Sequence, residues 1–165
     1  MIQRIQTIFL LLVALCMGLT FGFPIWEKIS TAQSQAVQVD VYQMTHYSFT
    51  DNNAAVVGEE IMTRSLWYVA LLAGLATVIA LFAIFQFRNR LTQIKLGALN
   101  ALLIGATVVA AIYSIYQARE LLPEDGNGQY LTGFWLPLGA LFFNLLANRF
   151  IRRDELLVRS ADRFR

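Results

Sequence analysis

The chain has 165 residues, of which 57% are hydrophobic and 15% charged, with a formal net charge of +2. A soluble domain carries roughly 25% charged residues, and here the charge is withheld from four stretches, 5–26, 65–87, 96–118 and 126–148. The near balance of charge excludes a nucleic-acid binder built on a basic surface, and the single cysteine, Cys16, excludes an intrachain disulfide, a cysteine metal cluster and a membrane thiol oxidoreductase.

A helix needs about 20 apolar residues to cross a hydrocarbon core of about 30 Å. Each uncharged stretch is long enough. The expectation is an all-α membrane protein: one domain over 1–165, a four-transmembrane-helix antiparallel bundle with helices at about 5–25, 62–87, 93–118 and 131–150. The lipid bilayer is then its first partner.

The first helix carries Gly18 and Gly22 as a G-x-x-x-G pair, a pattern that lets another helix backbone approach closely. Its end, Gly22-Phe23-Pro24-Ile25-Trp26, has no small-x-small cleavage pattern, so the helix is expected to stay attached. The loop at 27–61 contains Val37-Gln38-Val39-Asp40-Val41, which alternates with strand periodicity. Tyr47 and Phe49 extend that pattern, Asp51-Asn52-Asn53 supplies turn chemistry, and Ala54 to Val57 suit a returning strand. The loop therefore predicts a small β-hairpin-like element. An isolated hairpin is marginal in water, so it must lie on the helix ends, on a partner, or on the second loop. Glu59 and Glu60 are expected to open the second helix, where the helix dipole favours negative charge.

Along the second helix Ala70, Ala73, Gly74 and Thr77 are small, and on the third Gly97, Ala101 and Gly105 repeat at four-residue spacing, as do Ala106 and Ala110. These ladders predict a close antiparallel pair. Pro123-Glu124-Asp125-Gly126-Asn127-Gly128 is a dense turn signal whose spacing does not fit an EF-hand calcium loop. Pro137 should kink the fourth helix. The tail at 151–165 is a short amphipathic basic segment with Leu157, Ala161 and Phe164 on one face. Its Arg152, Arg153, Arg159, Arg163 and Arg165 form a candidate contact surface, for anionic lipid or for a protein partner.

Basic residues orient the chain. With the turn Arg88 to Lys95 inside, the inner segments hold 10 Lys and Arg and the outer segments only Lys28, Arg64 and Arg119. The positive-inside rule then places both termini in the cytoplasm and the strand-bearing loop outside. Trp26, Trp67 and Trp135 fall at the outer helix ends, the level where indole rings favour the headgroups.

No Asp, Glu, Lys, Arg or His lies inside an uncharged stretch, which counts against a proton relay or ion path. The polar residues left there are amides. Asn100 and Asn144 lie equally far from Lys95 and Arg149, hence at similar depth, and Asn148 lies one turn beyond Asn144. They are candidates for interhelical polar contacts. His46 is the lone histidine, with Asp40 and Asp51 near it in sequence only. No catalytic residue, cofactor or metal site is expected.

Two terminal segments carry a resemblance. The start, Met1-Ile2-Gln3-Arg4-Ile5-Gln6-Thr7, and the end, Asn148-Arg149-Phe150-Ile151-Arg152-Arg153-Asp154-Glu155 with Leu157 to Arg165, resemble a family of small four-helix inner-membrane proteins of Bacteroidota, filed as a domain of unknown function. The resemblance implies a bacterial inner-membrane location and topology and no activity. The layout also resembles claudin-like proteins, without their paired loop cysteines. The function expected is a non-enzymatic accessory, assembly or scaffold subunit, acting on a membrane-protein partner or as a homo-oligomer. The alternative is a small uncoupled carrier or binder of lipid or another hydrophobic ligand.

Overall fold

Helices form where charge is withheld, but they do not account for the whole chain. The computed structural model describes residues 2–30, 34–48, 59–86, 89–122 and 128–162, with their side chains except at 2–4 and 158–162. Phe49, the segments at 51–53 and 54–57, Arg88, the acidic residues at 124–125, Arg163 and Arg165 lie outside these, as does the side chain of Arg159. The helices are α1 (Ile2–Leu19), α2 (Trp67–Phe85), α3 (Arg90–Glu120) and α4 (Thr132–Asp162). All four are long and apolar enough to cross a membrane.

The all-α expectation is corrected by five antiparallel strands. These are β1 (Trp26–Ser30), β2 (Gln35–Val39), β3 (Gln43–Ser48), β4 (Glu60–Ser65) and β5 (Gln129–Tyr130), in the order β4-β3-β2-β1-β5. The element predicted as a hairpin is thus a five-stranded sheet. Four strands come from the first long loop, and the second loop adds β5 beside β1, pairing Trp26 with Tyr130 and Glu27 with Gln129. Adding strands and a packed face removes the marginality of an isolated hairpin.

Two helix boundaries move for the same reason. The first helix gives way to a 3-10 turn at Thr20–Gly22, because Ile25 donates its N–H to the Val39 carbonyl (2.8 Å) and Trp26 enters β1. The second helix starts at Trp67, since Glu60–Ser65 pair with β3. Glu60 therefore belongs to a strand and not to a helix N-terminus.

The helices form a ring in which α1 and α3 each neighbour α2 and α4. Both long connections meet the sheet at one end, and the short α2–α3 link lies at the other. Buried positions on every helix follow a 3–4 spacing. They are Gln6, Leu10, Val13 and Met17 on α1, and Val69, Ala73, Ala76, Ala80 and Ala83 on α2. On α3 they include Gln93, Gly97, Asn100, Ile104, Thr107, Ala111, Ser114 and Ala118. On α4 they include Ala140, Asn144, Ala147 and Ile151. Alternating steps of three and four are the spacing of a heptad-type seam. Of the small residues in the ladders read from the sequence, Ala73 and Gly97 lie in that seam, and others do not. Gly18, Gly22 and Gly105 would meet nothing if they carried a Cβ.

The sheet caps one end of the bundle. Its inner face contributes Trp26, Val37, Val39 and Met44 to the core shared with Met17, Val69, Ile115, Ala118 and Leu122. Trp26 is fully buried and is not an interfacial ring, whereas Trp67 and Trp135 are exposed near that same end. Gly128 sits at φ +67, and a Cβ there would come within 2.4 Å of the Trp26 ring. Glycine is therefore required where the second loop turns into β5.

Candidate functional site

Three places on this frame hold polar chemistry. The first is a layer of amides within the bundle. The apolar core is divided between a larger cluster with Val13, Ala80, Ile104 and Ala140 and a smaller one with Leu10, Ala83 and Ala147. On α3 and α4 the positions between the two clusters are Asn100 and Asn144. Asn144 donates its amide N–H to the Gly97 carbonyl at 2.8 Å, joining α4 to α3. Asn148 packs on the same glycine, and a Cβ at position 97 would lie 2.0 Å from Asn148 Oδ1. Gly97 is thus the point where α3 admits two asparagines of α4.

Asn100 behaves differently. It is buried, and neither its amide N nor its amide O has a partner among the described residues. The structure does not join Asn100 to Asn144 by a hydrogen bond. Sequence reasoning missed two further buried amides toward the free ends of the helices. Gln6 opens the buried stripe of α1, and Gln93 donates to the Ala83 carbonyl at 3.1 Å. A signal for Gln93 exists: Gln93, Asn100, Thr107 and Ser114 recur every seven residues on α3. Thr107 and Ser114 return their hydroxyl protons to carbonyls one turn back, 2.8 and 2.9 Å away. The 2.9 Å contact between Tyr68 OH and Ser114 Oγ is therefore donated by the tyrosine.

The second place is the sheet. Register puts Trp26, Lys28, Val37, Val39, Met44 and His46 on one face, toward the helices. Lys28 is buried, and its ammonium donates to the Leu122 carbonyl just past the end of α3. Orphan carbonyls and the negative end of the helix dipole favour a cation there. Arg64 of β4 ties the sheet to α3 through Gln117 (2.8 Å), and Arg119 of α3 reaches the Tyr130 hydroxyl of β5 (3.1 Å). His46 Nε2 contacts Gln35 Oε1 at 3.1 Å, and burial pushes its pKa down. Burial also raises Asp40, with a smaller opposing effect from its hydrogen bond to Gln38. Burial likewise raises the Tyr47 phenol, as does the Glu27 carboxylate that accepts its proton at 3.3 Å. No group of three or more His, Cys, Asp or Glu suited to a metal occurs among the described residues. Among the described strands the sheet also has a free edge. β4 pairs only with β3 among the described strands, and all six of its residues are exposed.

The third place is the far end of α4. The helix runs without a break past Pro137 and past the apolar stretch to Asp162, so the charged tail continues the bundle helix. Arg90, at the start of α3, pairs with Asp154 at 3.1 Å and also donates to its backbone carbonyl. That clamp fixes the tail against α3. Arg152 and Arg153 lie on its exposed side.

None of the curated proteins matches the chain. A family model does match it over residues 2–164. The chain belongs to that family, described as a domain of unknown function, DUF4293.

Proposed function

We propose that this chain is a multi-pass protein of the inner membrane of Bacteroidota, non-enzymatic, with both termini in the cytoplasm and the sheet outside. In this reading it is an accessory or assembly subunit that binds an extended segment of a partner membrane protein along β4. The membrane placement draws support from an inside-out distribution of side-chain size. Large apolar residues such as Leu11, Val78, Phe85, Leu102 and Val109 face outward, while alanine, glycine and amides face inward. Bundles in lipid associate through small residues and polar contacts, because lipid tails are as apolar as leucine. The orientation is favoured by the 10-to-3 bias of basic residues between the two ends.

The observation that carries the partner reading is the open edge of β4. An exposed edge strand presents unpaired N–H and C=O groups and is a template for another strand. Here it also displays Ile61 and Met62, with Trp67 just beyond. A charge at either apolar position blocks strand addition without touching the core. A tagged full-length chain extracted in mild detergent should carry a partner, and I61K should release it while leaving the unfolding temperature unchanged. A lone monomer, both in native extracts and after crosslinking in intact membranes, would refute the reading.

A further inference from the structure

A groove runs along α4 where its apolar part meets its charged part. It encloses about 380 Å³ and is lined by Leu145, Asn148, Arg149, Arg152, Arg153 and Leu156. The three arginines follow i, i+3, i+4 spacing, so they share one helix face. None of them has a carboxylate partner among the described residues, whereas Arg90 at the same end is paired with Asp154. The Asp154 carboxylate is therefore already engaged, and the three guanidiniums of the groove have no carboxylate partner among the described residues. Leu145 and Leu156, both exposed, add an apolar wall. Exposed Phe142 continues the apolar strip one turn beyond Leu145.

An occupant must match both halves. Three guanidiniums on one face suit a phosphodiester, which each can meet with paired N–H donors. The leucine and phenylalanine strip suits a hydrocarbon chain. We infer that this groove binds an anionic phospholipid, with the headgroup phosphate among Arg149, Arg152 and Arg153 and one acyl chain along Leu145 and Phe142. The depth agrees. Arg149 is the first residue after the uncharged stretch 126–148, the level at which a headgroup phosphate lies. A free phosphate would leave the apolar strip without a role. A zwitterionic choline headgroup would bring its own cation against the arginines. The inference rests on the membrane placement proposed above, which resistance to alkaline extraction tests separately.

The experiment uses the purified full chain in a neutral detergent, followed by native mass spectrometry. Phosphatidylglycerol and phosphatidylcholine with the same acyl chains are titrated in parallel. The wild type should retain the glycerol lipid over the choline lipid. Each arginine replaced should weaken retention roughly fivefold, so R149Q/R152Q/R153Q should abolish the preference. K95Q, an exposed lysine at the same end and outside the groove, should keep it. The triple lysine variant R149K/R152K/R153K keeps the charge and the fold but loses the paired donors, so it should fall between the two. Equal retention of both lipids by the wild type overturns the inference, as does undiminished retention by a folded triple glutamine variant. Complete displacement by excess inorganic phosphate also overturns it, by identifying a free-phosphate site. Retention of the lipid in that excess supports it.

Discussion

The sheet and the bundle share one core but are packed by opposite rules. The sheet buries its large side chains, Trp26, Val37, Val39 and Met44, as a water-soluble domain does. The bundle buries mainly alanine, glycine, amides and hydroxyls on α2, α3 and α4 and turns many of its leucines outward, while Phe134 and Phe143 pack against the core. Area removed from water can hold the sheet in place. It brings less to the α2–α3–α4 seams, where Val69, Ile104, Ile115 and Ile151 are the larger buried side chains among alanines, glycine and amides. Those seams depend on close backbone approach and on a few polar contacts such as Asn144 to Gly97. The two halves should therefore fail differently.

Trp26→Ala is the largest expected effect. Truncating a fully buried tryptophan costs about 3–5 kcal/mol, and this ring also packs on Gly128 of the second loop. The loss should be read by thermal unfolding in detergent, and protease cleavage of the sheet should precede loss of helical signal. Simultaneous loss of both would show that the halves do not fold as separable layers. Gly97→Leu attacks the other rule. Any Cβ there strikes Asn148, so overpacking of about 1–3 kcal/mol is expected. Loosening should appear first between α3 and α4, as faster hydrogen exchange at their buried amides.

The same contrast decides how much was legible in the sequence. The four helices were readable because exclusion of charge over more than 20 residues is a strong, local signal. Alternation at Val37 to Val41 announced a strand, although it runs over Gln35–Val39 and leaves Asp40 and Val41 outside. The all-α reading failed because the rest of the sheet is non-local. β5 is two residues long, and β4 shows no clean alternation and runs directly into an apolar helix. Both are strands because of what they pair with. Within the bundle, four-residue ladders of small residues were a partial guide, since Ala73 and Gly97 are buried but Gly18 and Gly105 face away from the chain. The seven-residue recurrence from Gln93 to Ser114 was the better guide to the buried face of α3. The position of Asn144 at the depth of α3's polar end could be counted from charges. That it would bond a backbone carbonyl rather than Asn100 could not, because the space beside Gly97 is a property of the packed pair.

A smaller effect separates the two asparagines. Asn144→Leu removes an interhelical hydrogen bond of a kind worth about 0.6 kcal/mol in measured membrane cases. Asn100→Leu removes an amide that has no partner among the described residues, and deleting unsatisfied buried groups is neutral or stabilising. The pair should thus differ in sign when unfolding is followed by detergent titration. Destabilisation by Asn100→Leu comparable to that by Asn144→Leu would mean that bound water completes the Asn100 amide.

The smallest effect belongs to the sheet and should be absent from the bundle. Burial lowers the pKa of His46 below its ordinary value of 6.5, so the folded sheet binds the proton less readily than the unfolded chain. Stability from this group is fully present above pH 6.5 and is lost as the pH falls through the folded value. Asp40 acts in the opposite direction. Its folded pKa is raised above 3.8, so its contribution is present below that value and lost as the pH rises through the folded one. The difference between wild type and His46→Gln therefore isolates the histidine. Its unfolding midpoint should converge with that of the variant under acid and exceed it by a constant amount above neutrality, if Gln35 bonds the imidazole better than the amide. A wild type whose stability rises on acidification, relative to the variant, would place a carboxylate beside His46 and reverse the sign.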